Sequence, residues 1–420
     1  VTVTIEEIPL PFFNVWYYPS SMNRTILYER HLEAGAKMAP FAGWEMPIQY
    51  TRGPIEEHLL VRRSAGVFDT CHMGRINVSG PGSLPYLEHL LTVRIGDLSP
   101  GFSCYSLLLR EDGGILDDLF VYRLSEEEWF LVVNAANTQK DLAWLNRWAE
   151  KNPSVQIEDF TSRLGMLAFQ GPKALEVLLK VVECPSVPFP PPRFGWVWAD
   201  IQIHASAQLH TSSKVRDTVT AGGSKGQELE PVGCLIGRTG YTGEDGVEIF
   251  CALEEIPLVW DTLLETAGEM GIEASPIGLA ARDSLRFEPG FSLYGHELSE
   301  TVTPVEAGLL WTCNLEKPFI GRDAVVRRKE EGPREKLATF VMEDPAVPRA
   351  GYEIRDEEGH SVGRVVTGLY APTVHAFAGN AYVRPDLAGS GKTFYIVIRG
   401  ALKKARTVKR PLYKPAYRTE

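Results

Sequence analysis

The hydropathy pattern changes character once along the chain, and that change limits the architectures open to it. Up to residue 325, segments with helical and strand periodicity are interleaved. A charged stretch from Arg327 to Lys336, containing Gly332-Pro333, then gives way to short alternating segments such as Tyr352–Arg355, Ser361–Val366 and Phe394–Ile398. Short strands without intervening helical periodicity bury a face most readily by closing on themselves, so residues 334–417 are predicted to form a small β-barrel domain. The chain has 420 residues, more than the ~250–300 over which a single core keeps growing. The region 22–325 is therefore expected to divide into two sub-domains, making the whole an α+β protein.

Composition excludes several function classes. A net charge of -11 does not provide the basic surface that phosphate neutralisation requires, so no nucleic-acid partner is expected. No apolar run approaches the roughly 20 residues that span a bilayer, so no membrane partner is expected either. The six cysteines, Cys71, Cys104, Cys184, Cys234, Cys251 and Cys313, show no C-x-x-C spacing; they read as reduced thiols, and no metal site is predicted. No G-x-G-x-x-G follows a strand, and no repeat of 20–50 residues is present.

Residues 1–21 carry Glu6 and Glu7 and are rich in proline and aromatic residues. They resemble neither a secretory nor a transit segment and are expected to be an extension outside the fold, with Met22 a natural start. Ile115–Tyr122 is strand-like behind the turn Asp112-Gly113-Gly114, Trp129–Val133 is the next strand, and Thr138–Lys151 is a helix with Leu142, Leu145 and Trp148 on one face. A helix is predicted from Pro172, with Leu175, Leu178 and Leu179 as its apolar stripe, and another over Pro257–Met270, ended by Gly271. The span 204–231 is polar, rich in glycine and serine and without periodicity, which predicts a surface insertion.

Four places carry chemistry. Asp117 and Asp118 lie side by side in an apolar strand, so alternation sends one carboxylate to each face. A solvated strand face with one hydrogen-bonded acid is the plain alternative to a functional carboxylate there. An enclosed carboxylate about 4 Å from a cation, at an effective dielectric of 20, contributes on the order of 4 kcal/mol. Realised only in the transition state, that supplies up to about a thousandfold in rate. The segment Arg238–Glu248 sets Tyr241 and Glu248 among glycines, which suits close approach to a ligand as well as a surface hairpin. Arg282 and Arg286 fall one helical turn apart, as a grip for carboxylates or a polar heterocycle or as members of a salt-bridged helix. His72 follows Cys71, but neighbours on a strand face opposite ways, so His72 is read as structural rather than as half of a thiol–imidazole pair.

Taken in order, Phe41-Ala-Gly-Trp-Glu-Met-Pro47, Phe68-Asp69 with His72-Met73-Gly74, Gly113-Gly-Ile-Leu-Asp-Asp-Leu119, Val133-Asn-Ala-Ala-Asn137, Phe169-Gln-Gly-Pro172, Gly240-Tyr-Thr-Gly-Glu-Asp-Gly246 and Gly278-Leu-Ala-Ala-Arg-Asp283 closely resemble the glycine cleavage T-protein family. The resemblance runs from Thr25 to Tyr417. It implies a three-domain cloverleaf around a central folate site, with a C-terminal β-barrel. It also implies an aminomethyltransferase that uses tetrahydrofolate as co-substrate, with no metal and no flavin. In the implied reaction the aminomethyl group comes from the lipoyl arm of H-protein, ammonia is released and 5,10-methylenetetrahydrofolate forms. By motif, Asp118 corresponds to the catalytic residue beside the reacting folate nitrogens, where it would orient the folate and stabilise developing positive charge, and Asp117 points into the structure. Met73, Tyr105, Tyr122, Asn134, Tyr241, Glu248, Arg282 and Trp311 correspond to the folate-lining set. The implied compartment is the cytoplasm, or the mitochondrial matrix for a eukaryotic source.

The sequence departs from the family at Arg364–Val374, where Thr367 and Ala371 replace two serines, and at His375 and Ala376, which stand where the family often has Gly and Lys. The tail Arg399–Arg418 has eight basic residues and no acid, suited to an acidic carrier protein or to a plain solvated barrel edge. The alternatives on the same scaffold are a folate-dependent demethylase or one-carbon transferase with another donor, and a non-catalytic folate-binding iron–sulfur assembly factor. The last is marked by a Gly-Cys-Tyr segment, where this chain reads Gly240-Tyr-Thr-Gly. A flavin-dependent oxidase is disfavoured because no flavin-binding half precedes Met22.

Overall fold

Three bodies make up the structure, a computed structural model that describes residues 22–184, 187–204 and 230–415. The extension 1–21 and nearly all of the insertion 204–231 lie outside the described residues. The first body is a five-stranded antiparallel sheet in the order Ser103–Leu109, Ile115–Arg123, Glu128–Val133, Gly74–Ser79, Gln156–Asp159. The turn at Gly113 has φ +86, a conformation that costs glycine little. Ile76, Val78, Leu119, Val121, Leu131 and Val133 form one core with Tyr86, Leu87 and Leu90 of the helix Ser83–Leu90 and Leu145 of the helix Thr138–Ala149.

The second body is a seven-stranded sheet ordered Val182–Glu183, Trp196–Ile201, Val232–Gly237, Gly246–Ala252, Leu164–Gln170, Ala65–Asp69, Ala274–Pro276. The helices Ala174–Val181 and Ile256–Glu269 cover one face. The helices Pro54–Arg63 and Leu279–Phe287 pack through Leu60, Val61, Ala281 and Leu285 against Phe68 and Ala168. The helix predicted from Pro172 begins at Ala174. Its buried face is Ala174, Val177, Leu178 and Val181, whereas Leu179 is 56% exposed. The i, i+3, i+4, i+7 set starting at Ala174 outcompetes the run of leucines. The helix near 257–270 ends as expected, with Gly271 at φ +67.

The third body is a closed six-stranded barrel in the cyclic order Lys336–Met342, Ala376–Val383, Ser361–Ala371, Glu353–Arg355, Thr393–Ile398, Ala401–Val408. Closure leaves no free sheet edge, and the interior is filled by Phe340, Ile354, Val365, Phe394, Ile396 and Ala405. Within the basic tail, Lys404 and Arg406 both pair with Glu343 across the barrel wall; residues 416–418 lie outside the described residues.

The bodies are fused through shared cores. Tyr122, Phe130 and Val132 of the first sheet meet Met166, Trp196, Leu235 and Phe250 of the second. Leu107, Leu109 and Ile115 meet Leu337 and Tyr382 of the barrel across the segment carrying Leu298, Val302 and Phe319. Between the three lies one cavity of about 1950 Å³, in the cloverleaf arrangement that the sequence resemblance implied. No helix among the described residues is long and apolar enough to cross a membrane.

Candidate active site

The cavity takes its walls from all three bodies. Met73, Tyr105, Asp118 and Asn134 come from the first, Tyr241, Glu248 and Arg282 from the second, and Arg349, Tyr352 and Arg410 from the barrel side. Asp118 reaches it because the strand Ile115–Arg123 alternates: Asp117 is wholly buried, and Asp118 is on the opposite, cavity-facing side. The ladder pairs Phe120 with Val132, so two residues further along Asn134 lies opposite Asp118. Asn134 Nδ2 donates to Asp118 Oδ1 at 2.8 Å and to Asp117 Oδ1 at 2.9 Å. The Tyr105 hydroxyl donates to Asp118 Oδ2 at 3.0 Å. Burial, then the charge of Asp117, pushes the Asp118 carboxyl up to about 7.

Glu248 and Arg282 form a second polar group in the cavity lining, close enough for the Glu248 charge to act on the Arg282 guanidinium. Glu248 Oε2 accepts from Tyr122 at 3.1 Å and from Thr239 at 2.5 Å, and Oε1 has no hydrogen-bond partner among the described residues. The Arg282 guanidinium carbon lies 4.9 Å from the centroid of the Tyr241 ring and 5.7 Å from that of Phe68. Its Nη1 is buried without a hydrogen-bond partner among the described residues. A buried donor of that kind is costly unless a ligand satisfies it, which marks Arg282 as part of a binding surface.

Of the residues expected to line the folate site, Met73, Tyr105, Asn134, Tyr241, Glu248, Arg282 and Trp311 do line the cavity together with Asp118. Trp311 stands at its edge, 73% exposed and stacked on Tyr105 with centroids 6.1 Å apart. Tyr122 does not line it: the ring is fully buried in the core between the two sheets, and its hydroxyl holds Glu248 from behind. Arg282 and Arg286 do not act as a pair. Arg286 is consumed by buried contacts to Glu297 at 2.9 Å and Asp283 at 2.7 Å.

Cys71 and His72 sit in a turn between strands rather than on one. The Cys71 thiol donates to the Met166 carbonyl, so no thiol–imidazole pair forms. His72, read from the sequence as structural, lines the cavity edge to face with Phe41, its Nδ1 buried and without a hydrogen-bond partner among the described residues. Burial pushes its pKa down to about 4 and keeps the ring neutral near pH 7.

Sequence reasoning missed Lys140 and Tyr294, which meet at the cavity wall near Asp118 with Nζ to hydroxyl at 2.9 Å. Tyr294 lies outside any helix or strand, and the one signal for it is the cluster Tyr294-Gly-His-Glu297. Outside the cavity, Asp356, Glu358 and His360 gather on the barrel surface, where Asp356 is engaged by the His360 backbone and by Arg384.

Comparison with known proteins agrees with this geometry. The family model described as the GCVT N-terminal domain matches residues 27–207 and 204–317, and that of the glycine cleavage T-protein C-terminal barrel domain matches 335–414. An aminomethyltransferase of Symbiobacterium thermophilum is 41% identical over 402 residues, 95% of this chain and 99% of that protein. One of Geobacillus kaustophilus is 40% identical over 94% of this chain and all of its own length. The crystal structure of glycine cleavage system aminomethyltransferase T from Bartonella henselae superposes with a TM-score of 0.80 at 31% identity, covering 94% of this chain and 99% of that one. The chain belongs to the glycine cleavage T-protein family.

Proposed function

We propose that the cavity is the tetrahydrofolate site of an aminomethyltransferase of the glycine cleavage system, with Asp118 as its catalytic carboxylate. The observation that carries this reading is that Asp118 lines the same cavity as Glu248 and the buried, unsatisfied Nη1 of Arg282. The residues present fit a folate. A heterocycle edge with both N–H donors and a carbonyl acceptor is complementary to a carboxylate beside a guanidinium, and Tyr105, Tyr241 and Trp311 offer aromatic surfaces.

When bound, tetrahydrofolate supplies the two nitrogens that receive the one-carbon unit. Lipoylated H-protein brings the aminomethyl group; the carbon leaves its sulfur and its nitrogen, ammonia departs and the lipoyl thiol is freed. Asp118 is held by Tyr105 and Asn134 at a fixed orientation, so in its ionised form it attracts the positive charge that develops on the transferred carbon without first reorganising. Its raised pKa also lets it take up a proton near neutrality. Glu248, braced by Tyr122 and Thr239, orients the heterocycle. None of these residues requires a metal or a flavin.

The test mixes the purified chain with tetrahydrofolate and aminomethyl-loaded H-protein and follows ammonia together with methylenetetrahydrofolate. Folate-dependent release of both is expected. Folate binding without either product would overturn the assignment in favour of another one-carbon donor.

A further inference from the structure

Behind Asp118 lie two acids that the transfer reaction does not itself use. We propose that Asp117 and Asp141 form a carboxyl–carboxylate pair holding a single proton, and that this pair, through Asn134, sets the orientation and charge of Asp118. The inference rests on Asp118 being the acid that faces the reacting centre.

Both side chains are fully buried. Asp117 is well supplied with donors: Asn134 Nδ2 at 2.9 Å and Asn137 Nδ2 at 2.5 Å on Oδ1, and the Asn134 backbone N–H at 3.1 Å on Oδ2. Asp141 has none: among the described residues, no donor reaches either of its oxygens. Its backbone N–H donates to the carbonyl of Asn137 at 2.8 Å, the same Asn137 whose Nδ2 holds Asp117, so one helical turn carries Asp141 up against Asp117, where the two carboxyls interact as a side-chain hydrogen bond. Two ionised carboxylates in such contact repel with nothing between them, and a buried carboxylate without donors carries the full desolvation cost. One proton resolves both problems, making Asp141 the donor and leaving Asp117 as acceptor for it and for the two asparagines. Burial, then Asp117, raises the Asp141 carboxyl far above the usual carboxylate range, in line with that placement.

The other charged and titratable groups around the three acids leave this arrangement intact. The Tyr105, Tyr241 and Tyr294 hydroxyls face them from neighbouring elements. Lys140, next to Asp141 in sequence, is directed to Tyr294 and Glu300. The pair therefore places one negative charge behind Asp118, and Asn134, bonded to both Asp117 and Asp118, ties the two carboxylates together. Asp141 acts as a positioning residue: it reaches the reacting centre only through Asp117 and Asn134.

The test has a spectroscopic and a kinetic arm. In protein labelled with carbon-13 at the aspartate carboxyl, infrared spectra at about pH 9 should show a protonated-acid C=O band, well above the usual carboxyl range. The band should survive Asp118→Asn and vanish in Asp141→Asn. Asp141→Leu, which cannot donate, should lower kcat about tenfold or more with the KM for tetrahydrofolate little changed, a barrier effect worth about 1.4 kcal/mol per factor of ten. Asp141→Asn, whose amide N–H replaces the proton, should restore kcat to within about threefold. The proposal is overturned if wild type lacks the band, if Asp141→Leu keeps full kcat, or if folded Asp141→Asn is as impaired as Asp141→Leu. Full turnover by Asp118→Asn with the band still present would instead sink the catalytic reading of Asp118 and leave the carboxyl pair standing.

Discussion

Asp118 combines fixed geometry with a protonation state that changes near neutrality. Replacement by Asn keeps the size and one acceptor but removes the charge. Asp118→Asn is thus expected to bind tetrahydrofolate within a few-fold of wild type while losing about a hundred- to a thousandfold in kcat, as measured by titration and by product release. Because the ionised form does the work and the carboxyl titrates near 7, wild-type kcat should rise with pH across the interval about 6–8 and then level off. The same shift carries a stability signature. The folded-state pKa is raised, so between the unfolded carboxylate value and about 7 the native state holds the extra proton. Stability from this group is full at acid pH and declines as pH rises through 7, so denaturation at both extremes should show Asp118→Asn gaining on wild type toward the alkaline side. Glu248→Ala should act on binding, weakening tetrahydrofolate by about 10- to 100-fold in calorimetry, because Tyr122 and Thr239 lose their acceptor and Arg282 a nearby negative charge. Asp118 was legible because an acid in an apolar strand is unusual. Asp141 was not: in sequence it is an ordinary acid in the first turn of a helix, and only tertiary packing brings it against Asp117.

At the scale of elements, periodicity located strands and helices well, while the side each one buries depended on neighbours. The stripe expected on the helix after Gly171 included Leu179, yet the buried set is Ala174, Val177, Leu178 and Val181. Leu178→Ala should therefore cost about 2–5 kcal/mol in chemical denaturation, and Leu179→Ala should stay within about 0.5 kcal/mol of wild type. Equal losses at the two positions would show the helix turned the other way. The turn Thr70–Met73 behaves in the complementary way. Strand alternation excludes a Cys71–His72 pair, and the pair is indeed absent, but the segment is a turn and alternation is not the cause. What shapes it is Arg75, fully buried, whose guanidinium donates to the carbonyls of Cys71, Met73 and Thr161. Nothing local in the sequence distinguishes such an arginine from one on a solvated strand, because its partners are backbone carbonyls that carry no sequence signature.

For the whole molecule, the central question is what keeps the barrel against the other two bodies, since the cavity exists only while all three are docked. A buried network does this. Arg286 meets Glu297 at 2.9 Å, and Glu297 accepts from Asn380 of the barrel at 2.7 Å, while Tyr382 donates to its backbone carbonyl at 2.7 Å. Thr367 adds its hydroxyl toward Arg286 and His296, and Thr373 toward His58 and Arg62. Thr367 and Ala371, two of the positions read from the sequence as departures from the family, lie in the seam that docks the barrel: Thr367 offers a hydroxyl there, and Ala371 is packed apolar beside Phe287. Burial alone would raise the Glu297 carboxyl, but Arg286 overcomes it and holds the pKa at about 2. With the folded value depressed, this stabilisation is present above the unfolded carboxylate pKa and is lost only as pH falls toward 2. Glu297→Ala would take from the fully buried Arg286 guanidinium one of its two carboxylates, Asp283 remaining at 2.7 Å, so the cost should reach at most the ~3–5 kcal/mol of breaking a buried pair outright. The same change would loosen Asn380, so the loss should appear as undocking as well as destabilisation: faster proteolysis between the residue-322–331 helix and the barrel, and weaker folate binding although Glu297 itself does not line the cavity. Glu297→Gln keeps one acceptor oxygen, enough for Arg286 or for Asn380 but not for both, since they bond different oxygens of Glu297, and should recover only part of the docking. A destabilised Glu297→Ala that still bound folate with unchanged affinity would show that the cavity walls hold together without this network.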